Sequence, residues 1–337
     1  MENNSNPSLS HELAQRKGDH IELAKRARTS SQDVDVRFNY EPLFFTHPTL
    51  EDCWPITFLK KELSYPIWVS SMTGGAQHAE NINVNLARLA GKYKLGMGLG
   101  SCRALLHDDE YLKDFDVRDF LGDQPLLANL GIAQVEELVK SGKTTRIHEM
   151  VKKLRANGLI IHINPLQEWF QPEGDRYHVS PLMTMTRFLE TTTYPVFVKE
   201  VGQGLGPKSL QALLNLPLAG VEFGAFGGTN FSLLESFRGD HQIHKMPFVK
   251  VGHTASEMVS FLNKLPMGDK EFIISGGQKN ILDAFELKSK LQAPALMGFA
   301  SAFLAPAMES FDVLEEYFLG MRDSLLTARN VLELKEE

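Results

Sequence analysis

A short polar segment, which runs from His162 to Glu168, carries side chains that could bind an anion, move a proton and hold a metal ion. His162 and Asn164 end an apolar run, and Gln167 and Glu168 follow within four residues. A carboxylate such as Glu168 can bind a hard cation such as Mg²⁺, which commonly completes its coordination with substrate phosphates and water. A single protein ligand is therefore compatible with Mg²⁺, although one carboxylate does not establish a metal site.

A lysine stands at the end of a second apolar run, PVFVKE, where Lys199 precedes Glu200. A cation at the end of a buried strand is costly unless it faces an anion. The anionic N1–C2 edge of a reduced flavin is one suitable partner for Lys199. An ion pair with Glu200 or with another carboxylate is the alternative.

Glycine clusters suggest a phosphate site. They are Gly74-Gly75, Gly227-Gly228 before Thr229, Gly276-Gly277, and Gly298. Backbone amides without a neighbouring Cβ can close around a phosphate at a helix N-terminus, and in α/β barrels the last two loops often form such a site. Tight turns that need positive φ would also explain each glycine pair.

A compact cationic group lies near the N-terminus of a chain that is otherwise acidic. Arg16, Lys17 and His20 fall within five residues. They could form a solvated helix face, or an anion-binding arm that folds over a substrate. The pattern alone leaves both interpretations open.

Eight short apolar runs alternate with helical patterns after residue 65 and predict the strands that position these side chains. Continuous apolar runs are typical of strands buried on both faces, and intervening helices indicate parallel βα units. The runs are Pro66–Ser71, Leu95–Ser101, Pro125–Gly131, Leu159–Asn164, Pro195–Glu200, Ala219–Gly224, Glu271–Gly277 and Pro294–Ala300. We therefore expect an α/β fold, a closed (β/α)₈ TIM barrel. An open doubly wound sheet is the competing topology, although no GxGxxG motif follows the first strand.

Two further segments complete this interpretation. Pro247–Val251 could be a ninth strand, but a helical pattern at Ser256–Leu265 follows closely, so we assign it to the connection after the sixth strand. Residues 1–65 are expected to form an N-terminal extension that covers the substrate. Residues 66–337 form a single catalytic barrel domain, and Glu309–Glu337 form its closing helix.

Polar residues recur at the predicted strand ends, which in such a barrel meet at one mouth. A helix cap or a turn would explain Ser101 or Asn129 taken alone, so the convergence of the whole set is the stronger signal. The set comprises Ser71, Met72, Thr73, Ser101, Arg103, Asn129, His162, Asn164, Lys199, Glu200, Gly276 and Gly277.

Composition excludes several classes of protein. The 337 residues are 43% hydrophobic and 23% charged, which is ordinary for a globular protein. The net charge of −7 argues against a nucleic-acid binder, and no apolar stretch is long enough for a membrane span or a secretory signal. Cys53 and Cys102 are far apart and outside any CxxC pattern, so we expect neither a disulfide framework nor a zinc site, and a cytoplasmic location.

Taken in order, the motifs resemble the type 2 isopentenyl-diphosphate isomerases, which are FMN-dependent barrel enzymes. The resemblance extends from Arg16 to about Leu304 and is most specific at HINPLQE and QPEGD. Its motifs are QRKGDHI, SSMTGG, GLGSCRALL, ANLG, HINPLQEWFQPEGD, PVFVKEVGQGL, GGTNF and SGG. It implies interconversion of isopentenyl and dimethylallyl diphosphate with reduced FMN and Mg²⁺, and with NADPH as the reductant.

The resemblance also implies residue roles. Residues that would bind FMN are Ser71, Met72, Thr73, Ser101, Asn129, Lys199, Thr229, Gly276, Gly277, Gly298, Phe299 and Ala300. Residues that would bind the substrate are Arg16, Lys17, His20, Ser101, Arg103, His162, Asn164 and Gln167. Gln167 would lie beside the alkene as the catalytic residue that orients or relays the proton, the flavin being the acid and base, and Glu168 would bind Mg²⁺.

Three departures from the family pattern put parts of this transfer in question. Gly224, Ala225 and Phe226 replace a more polar segment, Cys102 stands where Gln is common, and SGGQKN replaces SGG-Ile-Arg-Thr. The alternatives are an FMN-dependent 2-hydroxy-acid oxidase or dehydrogenase, for which His253 has no neighbouring Arg, and a non-enzymatic flavin-binding barrel. We expect a small-molecule isoprenoid diphosphate as the partner, and a homo-oligomer, a tetramer or an octamer, because the cationic arm would suit a neighbour-covered mouth.

Overall fold

The computed structural model describes residues 9–74, 79–239 and 243–335, which divide into two compact units. The first unit comprises residues 1–40 and 333–337, and the second comprises residues 41–332. The division falls after Tyr40, whereas the sequence analysis placed the boundary at residue 65. Residues 41–65 are counted with the barrel because a hairpin in this stretch supplies part of the barrel core.

The helices and strands follow one another as the patterns predict. The strands are β1 (Phe38–Tyr40), β2 (Ile56–Phe58), β3 (Lys61–Leu63), β4 (Ile67–Val69), β5 (Gly96–Gly98), β6 (Leu126–Gly131), β7 (Gly158–Ile163), β8 (Val196–Glu200), β9 (Gly220–Glu222), β10 (Glu271–Ser275), β11 (Ala295–Phe299) and β12 (Leu332–Leu334). The α-helices are α1 (Leu9–Leu23), α2 (Ala79–Lys92), α3 (Leu112–Phe115), α4 (Arg118–Leu121), α5 (Ile132–Lys140), α6 (Thr145–Lys153), α7 (Pro165–Phe170), α8 (Pro181–Leu189), α9 (Pro207–Leu214), α10 (Phe231–Arg238), α11 (Ala255–Leu262), α12 (Ile281–Lys290), α13 (Ser301–Glu309) and α14 (Phe311–Val331).

Strands β4 to β11 close into a barrel in which every pairing is parallel. Each of the eight predicted runs overlaps one of these strands, so the predicted (β/α)₈ barrel is confirmed and the open sheet is excluded. The segment considered as a ninth strand is a 3₁₀ helix, Met246–Lys250, as its assignment to a connection required. Helix α11 follows it and begins at a capping box, in which Thr254 and Glu257 satisfy each other's backbone amides.

The C-terminal prediction was partly wrong. Residues 309–337 were expected to form one helix, but α13 ends at Glu309, α14 begins after Ser310, and β12 follows α14. The Ser310 hydroxyl caps α14 by accepting from the Val313 amide, which fixes the break between the two helices. Strand β12 then pairs with β1, which a helical continuation would prevent.

The interior of the barrel is filled by large apolar side chains, several of which come from outside the barrel strands. Phe58 and Leu63, on the β2–β3 hairpin, are fully buried in one cluster with Trp68 and Phe197. The Phe58 ring lies 5.4 Å from the Trp68 ring and 5.5 Å from the Phe197 ring. The hairpin therefore packs into the core as a plug.

The turn of this hairpin is itself tied to the barrel. Leu59 and Lys60 have φ of 50° and 62°, as a tight two-residue hairpin turn requires. The Leu59 amide donates to the Glu271 carboxylate at 2.9 Å, at the first residue of β10.

Among the described helices, not one combines the length and the apolar character needed to cross a bilayer.

The plug predicts a large stability loss when its aromatic ring is removed. We expect Phe58→Ala to lower the free energy of unfolding by about 3–5 kcal/mol, because the cavity left behind cannot collapse fully. Phe44→Ala is the matched control, since Phe44 is 78% exposed and Phe58 is fully buried. Urea unfolding of both variants measures the difference, and equal losses would show that the hairpin is not part of the core.

Candidate active site

A cavity of about 400 Å³ opens at the carboxyl ends of the barrel strands. Many residues that the sequence analysis assigned to a cofactor line it. They are Ser71, Met72, Thr73, Lys199, Thr229, Gly276, Gly277, Gly298, Phe299 and Ala300. Ser101 and Asn129 are not part of the lining, and Gly75 lies outside the described residues.

The register of the strands places three titratable side chains side by side. His162 pairs with Lys199 across β7 and β8, and Lys199 pairs with Glu222 across β8 and β9. Burial lowers the pKa of Lys199, and the carboxylates of Glu222 and Glu200 oppose that shift. Burial raises the pKa of Glu222, and Lys199 opposes it in turn. Lys199 and Glu222 therefore favour each other's charged form, which burial disfavours in both.

His162 is held neutral beside this pair. Burial, together with the charge of Lys199, lowers its pKa to about 3. Its Nδ1 lies 2.8 Å from Asn129 Oδ1, and Asn129 donates its own amide to the Leu99 carbonyl at 2.9 Å. The oxygen of Asn129 therefore faces the ring, so His162 carries its proton on Nδ1 and Nε2 is left as an acceptor.

A second network holds the short helix α7, which begins with Pro165 after Asn164. The Asn164 side-chain amide donates to Gln167 Oε1 at 3.0 Å and to Glu168 Oε1 at 2.9 Å. The Tyr177 hydroxyl donates to Asn164 Oδ1 at 2.9 Å. One asparagine thus positions both side chains that the sequence analysis singled out.

Two acidic residues extend this network to neighbouring elements. The Asp175 amide donates to Glu168 Oε2 at 2.7 Å, and its carboxylate accepts from Arg103 at 2.9 Å and from Gln134 at 2.8 Å. Gln167 Nε2 lies 3.4 Å from Glu235 Oε1, on α10. Arg103, Gln167 and Glu168 are therefore joined through one continuous set of hydrogen bonds.

The remaining predicted residues and departures have distinct places. Arg16, Lys17 and His20 lie on α1 in the first unit and are exposed. Cys102 is buried, which raises its pKa to about 12, and its amide donates to the Asn129 carbonyl. Its replacement of Gln does not prevent Arg103 from reaching Asp175.

Phe226 stands where a polar residue was expected, and it has a structural role. Its amide donates to the His253 carbonyl at 2.9 Å, which ties the loop after β9 to the segment that precedes α11. Gly224 and Ala225, from the same segment, line the cavity. Close to them, Gly276 has a φ of +87°, and a Cβ there would lie 2.3 Å from the Ala225 carbonyl oxygen, so only glycine fits.

Several residues of the site were missed by the sequence analysis. Glu222 had a detectable signal, because it interrupts an apolar strand in the same way as Lys199. Tyr177, Asp175 and Glu235 had none, since each lies on a loop or a helix that only the tertiary fold brings to α7.

The residues that line the cavity also bear on the alternative of a 2-hydroxy-acid oxidase. An oxidase acting on 2-hydroxy acids would need a histidine base and an arginine in the site, but neither residue type occurs among the described lining residues. His253 instead contacts the Phe261 ring and stands next to Gly206. Within the described ranges, no group of three His, Cys, Asp or Glu residues could hold a metal ion by itself.

Burial of Glu200 next to Lys199 predicts a pH effect on stability. Glu200 Oε2 accepts from the amides of Gly202, Gln203 and Gly204 at 2.5–3.0 Å, yet burial raises its pKa to about 7 from 4.5. The folded protein thus keeps this proton longer than the unfolded chain, so Glu200 costs stability progressively as pH rises from about 4.5 to about 7. We expect Glu200→Gln to gain on the order of 3 kcal/mol relative to wild type over that interval in pH-dependent urea unfolding. The exposed Glu62→Gln is the control, and parallel curves for Glu200→Gln and wild type would contradict this assignment.

Known proteins resemble the chain in sequence and in fold. No model of a known protein family matches it. The isopentenyl-diphosphate delta-isomerase of Rickettsia felis is 33% identical over 311 residues, covering 90% of this chain and 88% of that protein. The enzyme of the same name from a Synechococcus species is 34% identical over 324 residues, covering 94% and 91%.

Solved structures match the fold alone. A mutant flavocytochrome b2 with benzoylformate has a TM-score of 0.58 at 13% identity, covering 88% of this chain and 75% of that chain. A mandelate oxidase mutant with a monooxide FMN adduct has a TM-score of 0.51 at 12% identity, covering 89% and 88%. The sequence relatives match nearly end to end at far higher identity, so this chain belongs to the isopentenyl-diphosphate delta-isomerase family.

Proposed function

We propose that the chain interconverts isopentenyl diphosphate and dimethylallyl diphosphate by a 1,3-proton shift, as a step of isoprenoid biosynthesis. The observation that carries this proposal is the Asn164 side chain, which holds Gln167 and Glu168 together beyond β7. His162, on the same strand, is in register with Lys199 in the cavity. One asparagine thus holds both the residue proposed for the alkene and the residue proposed for the metal, on the connection that follows His162.

The cavity fits FMN in its donors and its shape. Ser71 Oγ is buried without a hydrogen-bond partner among the described residues, and Lys199 supplies a cation for an anionic ring edge. Ala300 gives helix α13 no side-chain cap, and Ala300 and Ser301 line the cavity. The free amides of that helix start, with Gly276, would suit the flavin phosphate.

Bound there, reduced FMN would supply an electron-rich face and an acid and base that exchanges a proton with the alkene. The protein's own contribution is to position and to exclude water. Met72, Phe231 and Leu234 give the cavity an apolar wall against which the hydrocarbon tail would lie. Gln167 is held by Asn164 on one side and faces Glu235 on the other, so its amide has a fixed direction, and we propose that it lies beside the alkene.

The diphosphate would be held by residues around Glu168. Each Glu168 oxygen accepts one hydrogen bond and keeps a second lone pair, so the carboxylate fits Mg²⁺ as a single protein ligand. Arg103 lies next to it through Asp175, and we assign Arg16, Lys17, His20, Ser101 and Asn164 to the diphosphate and its surroundings. Neutral His162 would present only an acceptor, so we assign it to the diphosphate in its protonated form, which a nearby anion stabilises.

Three further parts of the proposal rest on the family resemblance. NADPH is the proposed reductant of FMN, and Asn129 is proposed to support the flavin through His162. We propose a cytoplasmic homo-oligomer, a tetramer or an octamer. The free state of Cys53 and Cys102 supports a reducing compartment.

Removing the amide that faces the alkene is the direct test of the proposed reaction. We expect Gln167→Ala to lower kcat roughly 100-fold with reduced FMN bound, because the reacting groups lose their orientation. Proton NMR with isopentenyl diphosphate and Mg²⁺ measures formation of dimethylallyl diphosphate. Gln292→Ala, the same change at an exposed position outside the cavity, should keep full turnover. If Gln167→Ala did so as well, the role of Gln167 would have to be dropped.

The assignment of Lys199 to the flavin ring is tested by binding. Lys199→Met should weaken FMN affinity at least about 10-fold, because it removes a charge-assisted contact and leaves Glu222 buried without its cation. Fluorescence titration of the apoprotein with FMN gives the dissociation constants. The exposed Lys264→Met is the control and should bind as wild type does, while unchanged affinity in Lys199→Met would assign Lys199 to Glu222 alone.

A further inference from the structure

Tyr177 lies on the segment between α7 and α8, and its hydroxyl makes two contacts with one residue. It donates to Asn164 Oδ1 at 2.9 Å, and it is 3.4 Å from the Asn164 backbone nitrogen, which donates to it. Both the side chain and the backbone of Asn164 are therefore held by the same phenol oxygen.

Asn164 uses both donors of its side chain and its acceptor oxygen in this arrangement. Its two amide protons go to Gln167 Oε1 and Glu168 Oε1, and its oxygen accepts from Tyr177. Rotating the amide by half a turn would put its oxygen against the Glu168 carboxylate, where two acceptors repel. The direction of the Asn164 amide is thus fixed from both ends.

That direction is passed on to Gln167. Because Gln167 Oε1 accepts from Asn164, its Nε2 must point the other way, and it lies 3.4 Å from Glu235 Oε1. Glu235 is held in turn by Arg238 at 2.6 Å. Each side chain donates to the next, from Tyr177 through Asn164 and Gln167 to Glu235.

The Tyr177 hydroxyl is also kept protonated, as its place as the first donor requires. Burial raises the pKa of Tyr177; the bond from the Asn164 backbone opposes that shift, and the nearby carboxylates of Glu168 and Asp175 add to it. Tyr177 therefore remains a donor at neutral pH. A cation on Glu168 would use the lone pairs that the Asn164 and Asp175 donors leave free, and it would not compete for the Tyr177 contact.

We infer that Tyr177 is a positioning residue, whose hydroxyl orients Asn164 and through it both the Gln167 amide and the Glu168 carboxylate. The inference rests on the proposed roles of Gln167 at the alkene and Glu168 at Mg²⁺. It assigns to the hydroxyl an effect on kcat and on Mg²⁺ affinity together, because one asparagine carries both contacts.

The chain offers a matched pair of variants for the test. Tyr177→Phe removes the hydroxyl and keeps the ring that packs in the segment. Tyr194→Phe makes the same change where the hydroxyl contacts His148 Nδ1 at 3.0 Å, away from α7. Both tyrosines are partly buried and each hydroxyl has a side-chain hydrogen-bond partner, so the two changes remove similar contacts.

We expect Tyr177→Phe to lower kcat roughly fivefold and to raise the half-saturating Mg²⁺ concentration by a similar factor, as the loss of one hydrogen bond implies. KM for isopentenyl diphosphate at saturating Mg²⁺, and FMN content, should stay within about twofold of wild type. Tyr194→Phe should leave all four quantities unchanged. If Tyr177 had only a structural role, Tyr177→Phe would lower Tm as Tyr194→Phe does. Its kcat and its KM would then not change separately.

A second comparison tests the route through Asn164. In an Asn164→Ala background, Tyr177→Phe should have no further effect on Mg²⁺ affinity, because the side chain that transmits it is gone. Equal effects in the two backgrounds would overturn the inference, as would a Tyr177→Phe enzyme with wild-type kcat and Mg²⁺ dependence.

Calorimetric titration with Mg²⁺ and inorganic pyrophosphate needs no turnover, so it separates failure of the inference from failure of the proposed function. If wild type shows no isomerisation, the proposed reaction is wrong, and the calorimetry still decides. Weaker Mg²⁺ binding in Tyr177→Phe than in Tyr194→Phe supports the positioning role, and equal binding overturns it.

Discussion

The buried pairing of Lys199 with Glu222 is the constraint on which the rest of the site depends. Taking either charge out of water alone costs several kcal/mol, so each is tolerated because the other is in register on the adjacent strand. That register follows from the parallel pairing of β8 with β9 within the closed ring. Lys199 lines the cavity and Glu222 is buried in the barrel, where the attraction between charges is stronger than in water.

The pair also decides the chemistry of its neighbour. His162 lies in register beside Lys199, so without a bound anion a second cation is unfavourable and the imidazole is neutral, with its proton directed to Asn129. Beyond His162 the chain leaves the strand and enters α7 at Asn164. The barrel thus supplies one fixed charge at the cavity, and the hydrogen bonds of Asn164 carry that rigidity outward to Gln167 and Glu168.

A sequence predicts a structural feature when the energetic reason for that feature lies within one segment of the chain. A lysine in an apolar run needs an anion wherever the strand lies, and eight such runs separated by helices indicate a barrel before any contact is known. Glu222 obeys the same rule and could have been found by it. The β2–β3 hairpin could not, because three-residue strands carry too little periodicity and Phe58 is a core residue only through rings 10 and 139 positions away in the chain. Tyr177 and Glu235 act through tertiary contacts, and no spacing of residues in the sequence predicts these contacts.

The fold by itself does not choose the reaction. Flavocytochrome b2 and mandelate oxidase share the barrel at 12–13% identity, so the strands and their closure are compatible with different substrates. What distinguishes this chain lies on the connections after β7 and β9. An oxidase would need a base and a carboxylate clamp facing the cavity, whereas no His or Arg occurs among the described lining residues. Helix α10 presents apolar side chains to the cavity, and α7 carries an amide and a carboxylate. A neutral amide cannot remove a proton from a hydroxy acid, but it can orient a proton beside an alkene. A carboxylate can hold a metal against a diphosphate. The isomerase family and the geometry of these two helices therefore agree.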